Sequence, residues 1–167
     1  YISNSIKSNK LKNILSLGIG HQIVSDILSN ELNYASEKYV ILEGSLSIIE
    51  NFQIKPEHQK KISLIHTYFE DFHSDEKFDA IEMGFILEHV DNPELIINKY
   101  KTFLSPKGKI FIAVPNARSL HRLIGYESGL LKDIYELSDY DKQLGHKRYY
   151  DLLSITELVE QSGLTIE

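Results

Sequence analysis

Cysteine is absent from the chain. That excludes a disulfide framework, a thiolate zinc site and a cysteine nucleophile, and it fits a reducing cytoplasm. Long apolar runs are also lacking. The longest are strand-sized, far short of the roughly 20 residues that cross a bilayer. Residues 1–12 are polar and contain no signal-peptide core, so no membrane association is expected. Positive charge is in deficit, with a formal net charge of −6. Because neutralising phosphates requires a basic surface, a nucleic-acid partner is disfavoured. No internal repeat, low-complexity tract or interdomain linker is visible. The 167 residues, 42% apolar and 25% charged, suit a single soluble globular domain, 1–167, with a full core. The chain starts at Tyr1 rather than a methionine, and a trimmed fragment is expected.

What is present is an alternation of strand-like and helix-like segments. Apolar runs at residues 14–18, 39–43, 62–66, 78–83 and 109–114 read as buried strands. Residues 21–32 carry Ile23, Ile27 and Leu28 at helical spacing, and residues 45–52 form a short helix. A third helix has Asn92 as cap, Pro93 in its first turn and Glu94 at its positive end. Its apolar face is Leu95, Ile96, Tyr100, Phe103 and Leu104, and it stops at the turn Ser105-Pro106-Lys107-Gly108. Residues 154–162 open on a capping box, Ser154 to Glu157, and close at Gly163. Residues 164–167 start a further strand.

This order implies βαβ units in an α/β fold, a Rossmann-like three-layer sandwich with a mostly parallel sheet. Such sheets bind ligands at the carboxyl ends of their strands. Residues 116–151 break the pattern. They form a long insertion after the fifth strand, rich in Tyr, His, Arg and Gly, and are read as an ordered lid that binds the acceptor.

The candidate chemistry follows the strands. In Leu17-Gly18-Ile19-Gly20-His21 a strand ends and two glycines allow a tight turn with close backbone approach to a ligand. A helix start beyond them would attract a phosphate or carboxylate. The alternative is a tight strand–helix turn with no ligand. Glu43, with Gly44, follows the second strand, where an acid can accept both hydroxyls of a ribose; the alternative is a solvated loop glutamate. Phe69-Glu70-Asp71-Phe72 follows the third strand and either reads an adenine edge or forms a charged surface loop.

The order of these motifs, with Phe78-Asp79-Ala80-Ile81, then Leu87-Glu88-His89-Val90, then Pro106-Lys107-Gly108 before a strand ending Val114-Pro115-Asn116, resembles the class I S-adenosylmethionine-dependent methyltransferases. The likeness covers roughly residues 12–167. Within the lid, Asn116-Ala117-Arg118-Ser119-Leu120-His121-Arg122 and Gly145-His146-Lys147-Arg148-Tyr149-Tyr150 resemble a subgroup acting on small molecules or glycan precursors.

The resemblance implies S-adenosyl-L-methionine as cofactor and S-adenosyl-L-homocysteine as product. Gly18 and Gly20 would hold the methionine part and Glu43 the ribose. Phe69, Glu70 and Asp71 would read adenine, and Met83, Gly84 and Phe85 would line the sulfonium. The chain departs from the pattern at Ser16, where an acid is usual, and at Gln22, where a third glycine is usual. Some relatives bind a divalent metal through an acid three residues before the Glu-His pair. Here that residue is Phe85, and no metal is expected. The family sheet closes with a strand hairpin, of which the last strand is lacking here.

Methyl transfer from a sulfonium leaves the protein to orient reactants and exclude water. A hydroxyl or amine acceptor also needs a base, for which His89, His121 and His146 are the candidates. Structural roles in capping or packing compete for His89. Arg118, Arg122 and Arg148 form a basic group suited to an anionic acceptor, such as a sugar, nucleotide sugar or phosphorylated glycan precursor. The competing reading pairs them with Asp139 and Asp141. Tyr126, Tyr149 and Tyr150 stack on a sugar or form the lid core. A homodimer is compatible with the sequence.

Two other functions remain: a catalytically inactive methyltransferase-like scaffold, and an NAD-dependent oxidoreductase. The oxidoreductase is disfavoured because its third glycine would fall at Ile23. Tyr34-Ala35-Ser36-Glu37-Lys38 imitates a dehydrogenase Tyr-Lys pair but comes too early in the chain.

Overall fold

The structure, a computed structural model, describes residues 4, 11–20, 27–28 and 38–167. Most of the 21–32 helix, Gln22, Ile23 and the Tyr34–Glu37 part of the dehydrogenase-like motif lie outside the described residues. Two compact units are present, Tyr1–Gly84 with Lys99–Ile112, and Phe85–Asn98 with Ala113–Glu167.

The first unit holds a five-stranded sheet of order β3-β2-β1-β4-β5. Its strands are β1 (Asn13–Leu17), β2 (Lys38–Glu43), β3 (Ile62–His66), β4 (Phe78–Gly84) and β5 (Leu104–Ala113). β1 runs parallel to both β2 and β4, and β2 runs parallel to β3. The apolar runs become strands because a parallel sheet buries both faces. Ile14, Tyr39, Ile41, Ile62 and Ala80 fill one cluster with Leu11, Ile19 and Leu28. Their alternate neighbours Leu15, Leu17, Val40, Leu42 and Ile81 are buried as well. Each such side chain contributes about 1.5–3 kcal/mol of burial. Helix α1 (Leu46–Asn51) follows β2.

Three expectations need correction. Ser105-Pro106-Lys107-Gly108 is extended strand within β5, not a turn. The Ser105 hydroxyl donates to Asp79 at 2.7 Å, and Gly108 lies so near the Phe78 carbonyl that a Cβ would stand 2.7 Å from it. Lateral pairing with β4 thus overrides the local turn propensity. The preceding helix, α2 (Pro93–Tyr100), is accordingly shorter, and a tight turn at Lys101–Phe103 follows it. Asn92 does cap α2, accepting from Leu95 N–H at 3.0 Å. The last helix, α5 (Leu152–Gln161), is capped by Asp151, with Ser154 as its reciprocal partner rather than the cap. Residues 164–167 are not part of the sheet.

The second unit carries residues 116–151 as ordered structure. Helices α3 (Leu120–Glu127) and α4 (Asp139–Gln143) lie within that stretch. Asn116 and Tyr150 pair as a bridge, and Ala117 N–H donates to the Tyr150 carbonyl at 2.7 Å, tying the two ends together. Among the described residues, no helix is long and apolar enough to cross a membrane.

Candidate functional site

In the first unit the β1 terminus is shaped by its two glycines. Gly18 (φ +78°) and Gly20 (φ +58°) occupy the left-handed region, where a side chain is strained. Gly18 N–H donates to the Leu42 carbonyl at 2.7 Å, locking the turn to β2. Among the described residues, a Cβ at Gly20 would meet nothing within 4 Å.

Glu43 is buried and holds the turn. Its Oε2 accepts from Ile19 N–H at 3.2 Å and its Oε1 from Ser45 N–H at 2.9 Å. A carboxylate has about four acceptor positions, so two hydroxyls can still be received. Gly44 lies under the ring of Tyr68, 3.1 Å from where its Cβ would be. Tyr68 is a neighbour the sequence reading missed; its signal was an aromatic immediately before Phe69.

The loop after β3 is pinned from α2. The Tyr100 hydroxyl donates to the Phe69 carbonyl at 3.0 Å, and Lys99 Nζ donates to the Glu70 carbonyl. Phe72 stacks on Tyr100 and meets Phe103 edge-on, so this aromatic belongs to the core. Glu70 and Asp71 are exposed, and Phe69 is half-buried.

At the end of β4, Met83 is fully buried and its side chain fills the core. Glu82 is a second residue the sequence reading missed. It pairs with Ser16 across the sheet. Burial pushes its carboxyl up, while hydrogen bonds from Ser16 and the Gly84 N–H oppose that shift. A side chain at Gly84 would collide with Glu82, whose Oε1 stands 2.2 Å from the missing Cβ. The signal was an acid inside an otherwise apolar strand run.

In the second unit, Phe85 is a non-glycine residue at φ +58°, a conformation that costs about 1–3 kcal/mol. Its N–H donates to the Ala113 carbonyl, and its side chain is exposed. Past this strained residue comes Glu88, which has no accessible surface. Neither Glu88 oxygen has a partner; only its own backbone N–H pulls locally on the carboxylate. Burial therefore pushes the carboxyl up to about 7.

His89 and His146 meet edge to face, with ring centroids 4.7 Å apart. Burial and the neighbouring His146 hold the His89 imidazole below its usual range. His146 Nδ1 lies 3.7 Å from Asp141, and Asp141 is itself fixed by Ser138 and by the Tyr149 hydroxyl at 2.8 Å. One donor atom each from Glu88, His89 and His146 falls within 4.8 Å of the other two. His121 is exposed on α3, outside this group.

The three arginines do not act together. Arg122 is buried: its Nε and a terminal nitrogen donate to the Ile134 and Glu136 carbonyls, and its guanidinium lies 3.8 Å from the centroid of the Tyr149 ring. Such stacking and fork geometry suit a structural cation. Arg122 is thus buried and bonded within its own unit, with the half-buried Tyr149 ring under its guanidinium. Arg148 donates to the Asp91 carbonyl at 3.2 Å, and Lys147 pairs with the Asp91 carboxylate. Arg118 and Tyr126 are exposed. Tyr150 is buried, its hydroxyl donating to the Leu87 carbonyl. The alternative in which these arginines pair with Asp139 and Asp141 is not what the lid does, since Asp139 meets Lys142 and Asp141 meets Ser138, Tyr149 and His146.

Residues 3–167 match the profile of the methyltransferase domain family. The chain belongs to that family. No curated protein matches it. Among solved structures, the S-adenosylmethionine-dependent methyltransferase from Mesorhizobium loti has a TM-score of 0.67 at 13% identity, over 99% of this chain and 80% of that one. The plantazolicin methyltransferase BpumL, in complex with S-adenosylhomocysteine, has a TM-score of 0.68 at 18% identity, over 95% and 61%. The N-methyltransferase NodS from Bradyrhizobium japonicum WM9, also with S-adenosylhomocysteine, has a TM-score of 0.55 at 16% identity, over 73% and 62%. At these identities the likeness is one of fold, and the match spans under two thirds of the BpumL and NodS chains. The parallel sheet with flanking helices is the Rossmann-like methyltransferase fold.

Proposed function

We propose that this methyltransferase-family chain binds S-adenosyl-L-methionine at the β1–β2 end of its sheet and transfers the methyl group to a small-molecule acceptor. The observation that carries the reading is the left-handed Gly18–Gly20 turn, braced by a buried Glu43 that keeps acceptor positions to spare. The residues fit the cofactor: bare backbone for close approach, and a carboxylate for two hydroxyls. The bound cofactor supplies an electrophilic methyl group on its sulfonium.

The chain supplies position. Glu43 orients the ribose, and the loop of Phe69, Glu70 and Asp71, pinned by Tyr100 and Lys99, offers an edge for adenine. Glu82 lends, from β4, the carboxyl that the family pattern has at the Ser16 position. Its place is set by Ser16 and Gly84, and its charged form suits an ammonium group. On the acceptor side, Arg118, Tyr126 and Arg148 give the lid a cation and an aromatic for an anionic molecule. A carboxylate or phosphate acceptor needs no base; a hydroxyl acceptor would need one.

Calorimetric titration with S-adenosylmethionine and S-adenosylhomocysteine tests the reading, with Glu43→Ala and NADH as controls. Both sulfur compounds are expected to bind, with binding lost in Glu43→Ala. A folded protein that binds neither is a family member without the activity, and one that binds NADH instead is an oxidoreductase.

A further inference from the structure

We propose that Glu88, His89 and His146 form a binding site for a divalent transition-metal ion, built as two imidazoles and one carboxylate. Three donor atoms within 4.8 Å of one another are the first observation. The second is independent. Glu88 is fully buried, yet both of its oxygens lack partners. Buried polar atoms are nearly always hydrogen-bonded, so the two orphaned Glu88 oxygens point to something they are built to hold.

The donor chemistry fits the ion. Two histidines and a carboxylate are the protein ligands of many catalytic zinc and iron(II) sites, and they leave further coordination positions open. Ligands sharing an ion at about 2.0–2.2 Å stand about 3–3.5 Å apart, so the group draws in by about 1 Å on binding. His89 and His146 are only partly buried, which gives an ion a way in.

The surroundings position the ligands. Lys147 N–H donates to the Glu88 carbonyl at 2.8 Å, and the Tyr150 hydroxyl donates to the Leu87 carbonyl, holding the two segments together. Gly145, at φ +81°, packs beside His89, its absent Cβ lying 3.6 Å from His89 Nδ1. Asp141 stands behind His146 at 3.7 Å. A carboxylate behind an imidazole is a usual outer partner of metal-bound histidines. Phe85 contributes nothing, and the third ligand comes from His146 in a different segment, which the motif-based expectation of no metal did not weigh. Coordinated imidazoles cannot accept a proton, so this site replaces the reading of His89 and His146 as free bases.

The test uses the whole chain, stripped with EDTA and desalted, and titrated calorimetrically with zinc and with manganese. One ion per chain is expected for wild type. Glu88→Gln and His146→Gln should each weaken binding at least ~100-fold, the upper end of what loss of an outer partner does. His121→Gln, on exposed α3, should bind as wild type. Circular dichroism and S-adenosylhomocysteine titration of each variant check the fold, and zinc-edge anomalous scattering from wild-type crystals gives a readout that needs no variant. The proposal is overturned if wild type takes up no ion at this group, or if both Gln variants bind like wild type. It does not rest on the methyltransferase reading: homocysteine-conjugate binding reports on Gly18 to Glu43, ion binding on this cluster.

Discussion

Two buried glutamates follow strands of this chain, and their surroundings are opposite. Glu43, in the first unit, gives each oxygen a backbone donor, Ile19 N–H and Ser45 N–H. Glu88, in the second unit, is more deeply buried, and neither of its oxygens has a partner. The same side chain is a brace in one place and stands without partners in the other. The difference lies in the backbone: Ile19 and Ser45 present N–H groups to Glu43, whereas Glu88 has two imidazoles near it and no donor. A buried carboxylate with donors organises its surroundings, and one without them is left for a proton or a cation.

The sharpest way to break this comparison is to remove the brace. Glu43→Ala removes the acceptor of the Ile19 N–H and of the half-buried Ser45 N–H, which should cost about 2 kcal/mol of stability. It should also lower affinity for S-adenosylhomocysteine at least ~100-fold, near 2.7 kcal/mol. Calorimetry and denaturant melts measure both. Retained affinity would show that Glu43 braces the turn without contacting a ligand.

Glu88 should respond in the other direction. Its carboxyl is raised to about 7 from an ordinary value of 4.5. Between those values the native state holds a proton that the unfolded chain has released. That contribution to stability is therefore complete below about pH 4.5 and is lost as the pH rises through about 7. In EDTA, Glu88→Gln should gain on wild type across this range, by about 3 kcal/mol at 1.36 kcal/mol per unit. Taking the difference between the two proteins at each pH removes the opposite slope of His89, whose lowered value is common to both. A difference that is constant with pH would mean that Glu88 is ionised in the native state and has a partner.

Arg122 sharpens the contrast within the lid. Arg122→Met keeps the volume but leaves the Ile134 and Glu136 carbonyls without a donor and removes the stack on Tyr149. A loss of about 2 kcal/mol is expected, with KM for an acceptor unchanged once the protein is folded. A rise in KM without loss of stability would return Arg122 to the acceptor side. The smallest effect belongs to Asp151, whose carboxyl is held down to about 2 by the Ser154 N–H, the Tyr135 hydroxyl and the Ser154 hydroxyl. Asp151→Asn keeps a capping oxygen and should lower Tm less than Asp151→Ala does, most visibly above pH 4, where the aspartate is charged.

The strands β1 to β4 were legible because a sheet buried on both faces demands continuous apolar runs. The glycine turn and Glu43 were legible because they follow those runs directly. The β5 extension through Ser105-Pro106-Lys107-Gly108 was not, since Pro and Gly favour a turn locally and only β4 beside them makes the stretch extended. Asp151 was passed over as a cap because Ser154 with Glu157 makes an equally good local pattern. Glu82 was hidden inside a strand, where periodicity says which face a residue takes but not what stands next to it.

From its sequence alone, this chain fixed its fold class, the order of its strands along the chain and the turn where a nucleoside cofactor is proposed, because each depends on residues close together in sequence. The tertiary structure alone decided that Arg122 is buried against two backbone carbonyls and the Tyr149 ring, that Glu82 leans on Ser16, and that Glu88 and His89 meet His146. Those outcomes depend on which distant segments share a desolvated space. There a carboxylate finds a donor or goes without one, and no pattern of neighbours along the chain records the result.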